Sequence, residues 1–367
     1  MNLTKLTKNA KRNGVSILST EWRLLIDDIH EARHHFAVEE ALARLLDEGK
    51  TSPTLRLRQV HPAVFVGVHQ NTWSEVDVAY CQANGIQIVR RMNGGGAVYH
   101  EMGSFCFSAF FQRDMFSQSD DELYHLFAAP VIRTCSDYNV IAHYEGRNDV
   151  LVGNRKIYGS AQFSWYHAFV QSGTFLVNIN FEVMERSLTP SALKFEGKSA
   201  RSIQERVTSL SREAECHLET REVMNRFAEH AAEVLGIRLI PGDLTQEEQE
   251  LAFELLAAKY STDKWNFGSG LEFQITVADR SEFGVVSLSA ELEGRIIKKI
   301  RLNYDLTMGN QPEFELLETS LSGSSIQEAQ AIVTNASISN RTREIILRLL
   351  EKLHQENSEI SSTRRKE

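Results

Sequence analysis

The chain has 367 residues, of which 42% are hydrophobic and 24% charged, the balance of a globular protein and not of a disordered or fibrous one. With 49 acidic against 40 basic side chains its formal charge is −9, which argues against a nucleic-acid role, because phosphate binding needs a dominant basic face. The length suits one large domain plus a smaller one.

The first twenty residues are polar and unpatterned and are expected to form a flexible extension. They are basic but lack the apolar stretch of a secretory signal, and no later run of apolar residues is long enough to span a bilayer, so a cytoplasmic protein without membrane contact is expected. From Arg33 to Gly49, Val38, Ala41, Leu42, Leu45 and Leu46 form one helical stripe, with Gly49 placed as a left-handed cap. Strands are expected at Leu55 to Val60, Ala63 to Val68, Ile86 to Val89 and Phe105 to Phe111, each bounded by turn residues. Leu123 to Tyr138 predicts a helix kinked at Pro130. Val150 to Val152 and Arg155 to Ile157 predict a hairpin turned at Gly153-Asn154, and a strand follows at Phe169 to Ile179.

Thr220 to Leu235 predicts a helix, and Thr245 to Glu248 is a capping box opening another that runs to about Tyr260. Strands separated by helices at irregular intervals favour an α+β domain on a mixed sheet, residues 21 to 260. Beyond a linker, residues 265 to 355 predict a smaller α+β domain. It has strands joined by a hairpin at Glu293-Gly294, then two helices, the first opened by the capping box Ser325 to Glu328. Residues 356 to 367 are expected to be a flexible tail. The linker Ser261 to Gly270 carries two glycines between differently patterned regions and suits a hinge.

Three segments carry the chemistry. Arg90-Arg91-Met92-Asn93-Gly94-Gly95-Gly96-Ala97-Val98-Tyr99-His100 follows a strand. Three glycines let backbone N–H groups approach an anion, and two arginines can complement its charge. The same glycines would equally make a plain surface turn, and the segment is neither a Walker loop nor GxGxxG. In the second segment, Asn148-Asp149 precedes the hairpin and could meet Mg²⁺ or a ribose. Lys156 follows on its second strand, just before Gly159-Ser160-Ala161, where a ligand could lie against bare backbone. One ammonium group there would stabilise the charge that gathers on phosphate and carboxylate as an acyl adenylate forms, although a hairpin lysine alone is more often only a solubilising charge. The third, Ser199 to Thr208 with Lys194 and Lys198 upstream, is a basic loop able to close over an anion or to stay solvated. Cys81, Cys106, Cys135 and Cys216 are far apart and form no CxxC pair, so free thiols are expected.

Together these segments resemble the lipoate-protein ligase family over residues 23 to 355. The likeness extends to His35-Phe36-Ala37-Val38-Glu39-Glu40, Gly67-Val68-His69-Gln70-Asn71 and Trp265-Asn266-Phe267-Gly268. It implies the mixed-sheet biotin and lipoate ligase catalytic fold with an accessory domain, and a two-step reaction. Lipoate, or a related short-chain acid, and Mg-ATP give the acyl adenylate. The lysine of a lipoyl-domain acceptor, of the 2-oxoacid dehydrogenase E2 or glycine cleavage H protein type, then takes the acyl group. By that resemblance Lys156 is catalytic; Arg91 and Gly94 to Gly96 form the acyl-phosphate loop; Asn148 and Asp149 contact Mg²⁺ and nucleotide, Asp149 as the metal ligand; and Val98 and His100 border the acyl pocket. Asn93 stands where the family often has serine. Phe163-Ser164-Trp165 replaces a stretch that is polar or basic in some members, and Gln171-Ser172-Gly173-Thr174 stands where many have His-His-Gly-Thr. These departures bear on the acyl donor and not on the reaction type. The competing readings are an octanoyl or lipoyl transferase of the same fold, which needs a thiolate near the lysine, and a catalytically silent binder of lipoylated partners.

Overall fold

The computed structural model describes residues 21–68, 70–189, 203–268, 275–281, 284–304 and 312–363. His69, Lys194, Lys198, Arg201 and Ser202 lie outside them. Eleven strands build the larger unit: β1 (Glu21–Ile26), β2 (Thr54–Arg58), β3 (Ala63–Val66), β4 (Gln87–Arg90), β5 (Val98–His100), β6 (Ser104–Gln112), β7 (Ala142–Glu145), β8 (Asp149–Val152), β9 (Arg155–Trp165), β10 (Ala168–Leu176) and β11 (Arg238–Pro241). Eight of them form one mixed sheet in the order β11-β1-β2-β6-β10-β9-β8-β7, and β4-β3-β5 form a second. β1 is parallel to both its neighbours; every other pair in the large sheet is antiparallel.

Side-chain alternation decides what each face holds. β2 is buried throughout, yet Leu55 and Leu57 enter one core cluster while Arg56 and Arg58 point to the other face. The first face packs Phe105, Phe107, Phe111, Phe169 and Phe175 against helices α2 (Asp120–Asp137) and α3 (Thr220–Leu235). The second is covered by α1 (Ala32–Asp47), whose Ala37, Val38, Ala41 and Leu42 meet Phe65, Cys106, Phe110 and Val170. The expected stripe on α1 is therefore its core face. α4 (Gln246–Leu255) starts at the Thr245 capping box, and Glu248 of that box is buried and paired with Arg23 of β1 at 2.7 Å. This places a carboxylate at a helix N-terminus and ties α4 to the sheet edge.

Where the hinge is expected, the described residues make a clasp of hydrogen bonds. Trp265 Nε1 donates to Arg90 O at 2.8 Å, and Arg90 Nε donates back to Trp265 O at 2.9 Å. Asn266 is fully buried, accepts from Arg90 N at 3.0 Å and donates to Tyr260 O at 2.7 Å. Lys259 lies over the Trp265 ring, 3.9 Å from its centroid, and pairs with Glu40 of α1. Trp265 and Asn266 are thus fastened to the larger unit; Ser269 and Gly270 lie outside the described residues.

The smaller unit has its own core. β12 (Ile275–Ser281), β13 (Gly284–Glu293) and β14 (Ile296–Tyr304) form an antiparallel sheet, turned at Gly294 with φ 64. Three helices pack on it, not the expected two: α5 (Pro312–Leu321), α6 (Ile326–Asn335) and α7 (Asn340–Thr363). α6 starts at the Ser325 capping box as expected, whereas α5 has only a short apolar stripe and no box to announce it. α7 runs to Thr363, past the position where the tail is expected to begin. Among the described residues no helix is long and apolar enough to cross a membrane.

Candidate active site

Strand register lays Arg58, Cys106, Thr174, Gly159 and Asp149 side by side on β2, β6, β10, β9 and β8. Along this row, under α1 and the β4–β5 connection, runs a cavity of about 710 Å³. All twelve residues singled out from the sequence line it: Arg91, Asn93, Gly94, Gly95, Gly96, Val98, His100, Asn148, Asp149, Lys156, Gly159 and Ala161.

Lys156 reaches the cavity through an irregularity. β9 carries one extra residue opposite the Val150/Leu151 step, so that Gly159 pairs with Asp149 but Lys156 pairs with Leu151. This bulge resets the alternation and turns Lys156 onto the face of Gly159, three residues away, where strict period two would oppose them. The lysine then folds back over the bare backbone: a Cβ at Gly159 would overlap its Cε and Nζ. Its ammonium lies 2.7 Å from Asp149 Oδ1. Asn148 is anchored to the neighbouring strand, its amide donating to Ser160 O at 2.6 Å while its carbonyl accepts from Ser160 N at 3.0 Å. The described part of the third segment also comes to the site, since Thr208 N donates to Lys156 O at 2.8 Å and Glu205, Arg206 and Val207 line the cavity.

The glycine run closes the cavity's other side, and the two arginines serve it differently from the expectation. Arg90 is buried outside the cavity, where it donates to the carbonyls of Gly67, Val68 and Gln70 and to Thr72 Oγ1. Its role is corrected from anion contact to scaffold. Arg91 lines the cavity and donates to Phe65 O, Gly94 O and Gly96 O, each at 2.8 Å. It thereby gathers the carbonyls of Gly94 and Gly96 onto one guanidinium, and backbone N–H groups of such a loop can meet an anion. Gly95 has φ +97, and Gly67, adjacent in space, has no room for a Cβ because Gly95 O occupies that position. Asn93 is 6% exposed, and its side-chain oxygen has no hydrogen-bond partner in the structure.

The cavity floor is more polar than the motifs suggest. His35 and His100 are buried, and burial together with neighbouring arginines holds both imidazoles well below the usual histidine range, hence neutral. The unfolded chain binds protons on these residues below about pH 6.5 and the folded protein does not, so stability is present above that pH and lost as pH falls. Unfolding free energy is expected to drop by up to about 1.4 kcal/mol per pH unit for each histidine below pH 6.5, as measured by denaturant titration. A value that stays constant down to about pH 5 would contradict neutral burial of the pair.

Cys106 also faces the cavity, 3.4 Å from His100 Nδ1, a placement the sequence did not reveal. It has the look of a nucleophile and base, but burial pushes the thiol up, away from the thiolate that a thioester exchange needs. Cys81 and Cys135 are buried, and Cys216 is exposed. If the reaction runs by the adenylate route that the resemblance implies, which uses no thiol, Cys106→Ala is expected to leave the rate within about threefold of the parent. Complete loss in a folded variant would move the reading to the thioester transferase. Arg58 and Cys106 line the cavity outside every motif read from the sequence, and Glu39 lines it from a motif that was given no site role. The one available signal was Thr54-Leu-Arg-Leu-Arg58, a strand whose arginines occupy alternating positions and are buried.

The model of the lipoyl protein ligase A/B catalytic domain matches residues 31–232. Lipoate-protein ligase LplJ of Bacillus subtilis (strain 168) is 30% identical over 301 residues, 80% of this chain and 88% of its own length. Two solved structures are similar over their whole length. One is a bipartite lipoate protein ligase from Thermoplasma acidophilum, studied with its E2 lipoyl domain: TM-score 0.60, 29% identity, 70% of this chain and 99% of that one. The other is a lipoate-protein ligase A bound with ATP: TM-score 0.60, 27% identity, 68% of this chain and 99% of that one.

Proposed function

The chain belongs to the lipoate-protein ligase family, and from that premise we propose that it joins lipoate, with ATP, to a lysine of a lipoyl domain by way of a lipoyl adenylate. It is a ligase. The observation that carries the mechanism is Lys156, folded over Gly159 with its ammonium 2.7 Å from Asp149, in the cavity whose opposite wall is the glycine loop.

In the first step a carboxylate oxygen of lipoate attacks the α-phosphorus of ATP; the bond to the pyrophosphate oxygen breaks and pyrophosphate leaves. Negative charge builds on the phosphoryl oxygens, and Lys156 sits where it can stabilise them together with the carboxylate. Gly94 to Gly96, framed by Arg91, supply close-approaching backbone donors, and Asn93 offers a buried acceptor to the ligand. Asn148 and Asp149, which line the cavity, would meet the nucleotide. Among the described residues no cluster of three metal-ligating side chains exists. Mg²⁺ is commonly held by one or two carboxylates plus substrate phosphates and needs no such cluster. Asp149 is the carboxylate we propose would hold it, and the ion would neutralise phosphate charge.

In the second step the acceptor's amine attacks the acyl carbon, the bond to AMP breaks, and the amine loses a proton. Acceptors of the 2-oxoacid dehydrogenase E2 or glycine cleavage H protein type present such a lysine. Lipoate-dependent exchange of labelled pyrophosphate into ATP tests the reading: exchange with the free acid is expected, while a transferase or a silent binder gives none.

A further inference from the structure

At the end of the cavity opposite Lys156, an ion pair occupies the wall where a hydrocarbon tail would lie. Arg58 and Asp149 stand at the two ends of the five-strand row, four inter-strand steps or roughly 19 Å apart. Between them the row carries only Cys106, Thr174 and Gly159, so an extended acid with its carboxyl at Lys156 runs toward Arg58. Arg58 is 2% exposed; its Nε donates to His35 Nδ1 at 2.8 Å and its Nη2 to Ser108 Oγ at 3.1 Å. Glu39, reaching down from α1, is 3% exposed, and its Oε1 lies 3.1 Å from Arg58 Nη2 yet accepts no hydrogen bond. Ser172 lines the cavity beside them and shares a hydrogen bond of 2.8 Å with Ser108.

We propose that Glu39 and Arg58 make this site select carboxylic acids bearing a hydrogen-bond donor at the end remote from the carboxyl (a hydroxyl, amine or thiol) over acids that end in plain hydrocarbon. A buried carboxylate oxygen without a hydrogen bond is costly. A donor on the ligand removes that cost, whereas a methyl end shields the pair from water and returns nothing. Each guanidinium nitrogen already has a partner, Nε in His35, Nη1 in Arg56 O, and Nη2 in Ser108 and Glu39, whereas Glu39 Oε1 accepts no hydrogen bond, so the open valence belongs to an acceptor, and this sets the sign of the preference. Among lipoyl acids the reduced dithiol suits this end better than the cyclic disulfide, since only it has donors, though weak S–H ones. The inference takes the acid's orientation, carboxyl toward Lys156, from the ligation reading.

The test is calorimetric titration of the full chain, without ATP, with octanoate and with 8-hydroxyoctanoate. The hydroxy acid is expected to bind about 10- to 100-fold tighter, the worth of one hydrogen bond to a charged group. Equal affinities, tighter octanoate, or no binding of either acid would overturn the proposal. Replacing both partners, Glu39→Leu with Arg58→Leu, leaves no lone buried charge and is expected to abolish the preference; a folded double variant that keeps it overturns the proposal. Should that variant not fold, Glu39→Gln preserves the shape and must narrow the ratio. Pyrophosphate exchange with the same acids reads the ligation itself: its absence with every acid sinks that reading, while the binding order still decides this one.

Discussion

Lys156→Ala is expected to lower lipoate-dependent pyrophosphate exchange roughly 100- to 1000-fold, the usual cost of removing one electrostatic contact to a developing charge. The loss should fall on the rate and not on the fold, because the side chain is part-exposed in the cavity and its ion pair with Asp149 is not in the core. Exposed pairs of this kind contribute at most about 1 kcal/mol to stability. Lys156→Arg keeps the charge but not the shape, since a planar guanidinium cannot follow the path over Gly159, and it is expected to restore little. Near-parent exchange by a folded Lys156→Ala protein would remove the residue from the mechanism.

Gly159→Ala is the more selective experiment. A methyl group there would overlap only the end of the Lys156 side chain, which can swing aside, so the fold should survive with its stability hardly changed. The ammonium, however, would be displaced from Asp149 and from the phosphate it is proposed to meet. Displacement by about 1 Å can cost on the order of 100-fold, and exchange is expected to fall by about that factor while Tm holds. A Gly159→Ala protein with full activity would mean that the lysine's position over the glycine is incidental. A protein that unfolds would mean that the glycine serves packing, as Gly173 does with the rings of Phe107 and Tyr158 against it.

Local signals carried much of this molecule. The α1 stripe, the capping boxes at Thr245 and Ser325 and the turn at Gly153 each depend on neighbours within a few residues, and each appears where its pattern places it. The glycine run and the Asn148–Ala161 segment were legible as chemistry for the same reason. What escaped depends on pairing at long range. The edge strand β11 joins the sheet only through β1, more than 200 positions earlier, Arg238 opposite Glu21, and nothing in its own four residues states that. The bulge that turns Lys156 into the cavity is a property of two strands at once; simple alternation would have faced it away. Cys106 reads as a core residue of an aromatic strand, and only the register with Thr174 and Arg58 makes it a wall of the cavity. The arginine pair shows the converse: charge beside glycines suggested an anion site, but unsatisfied loop carbonyls claim Arg90 and hold Arg91 as well.

The most direct measurement is to mix the protein with lipoate and ATP labelled on the α-phosphate, without acceptor, and then to add a lipoyl domain. The expected result is labelled lipoyl adenylate retained on the protein, discharged as AMP on addition of the domain as its lysine becomes lipoylated. Lipoylation without any labelled adenylate, or transfer only from a thioester donor, would contradict the account.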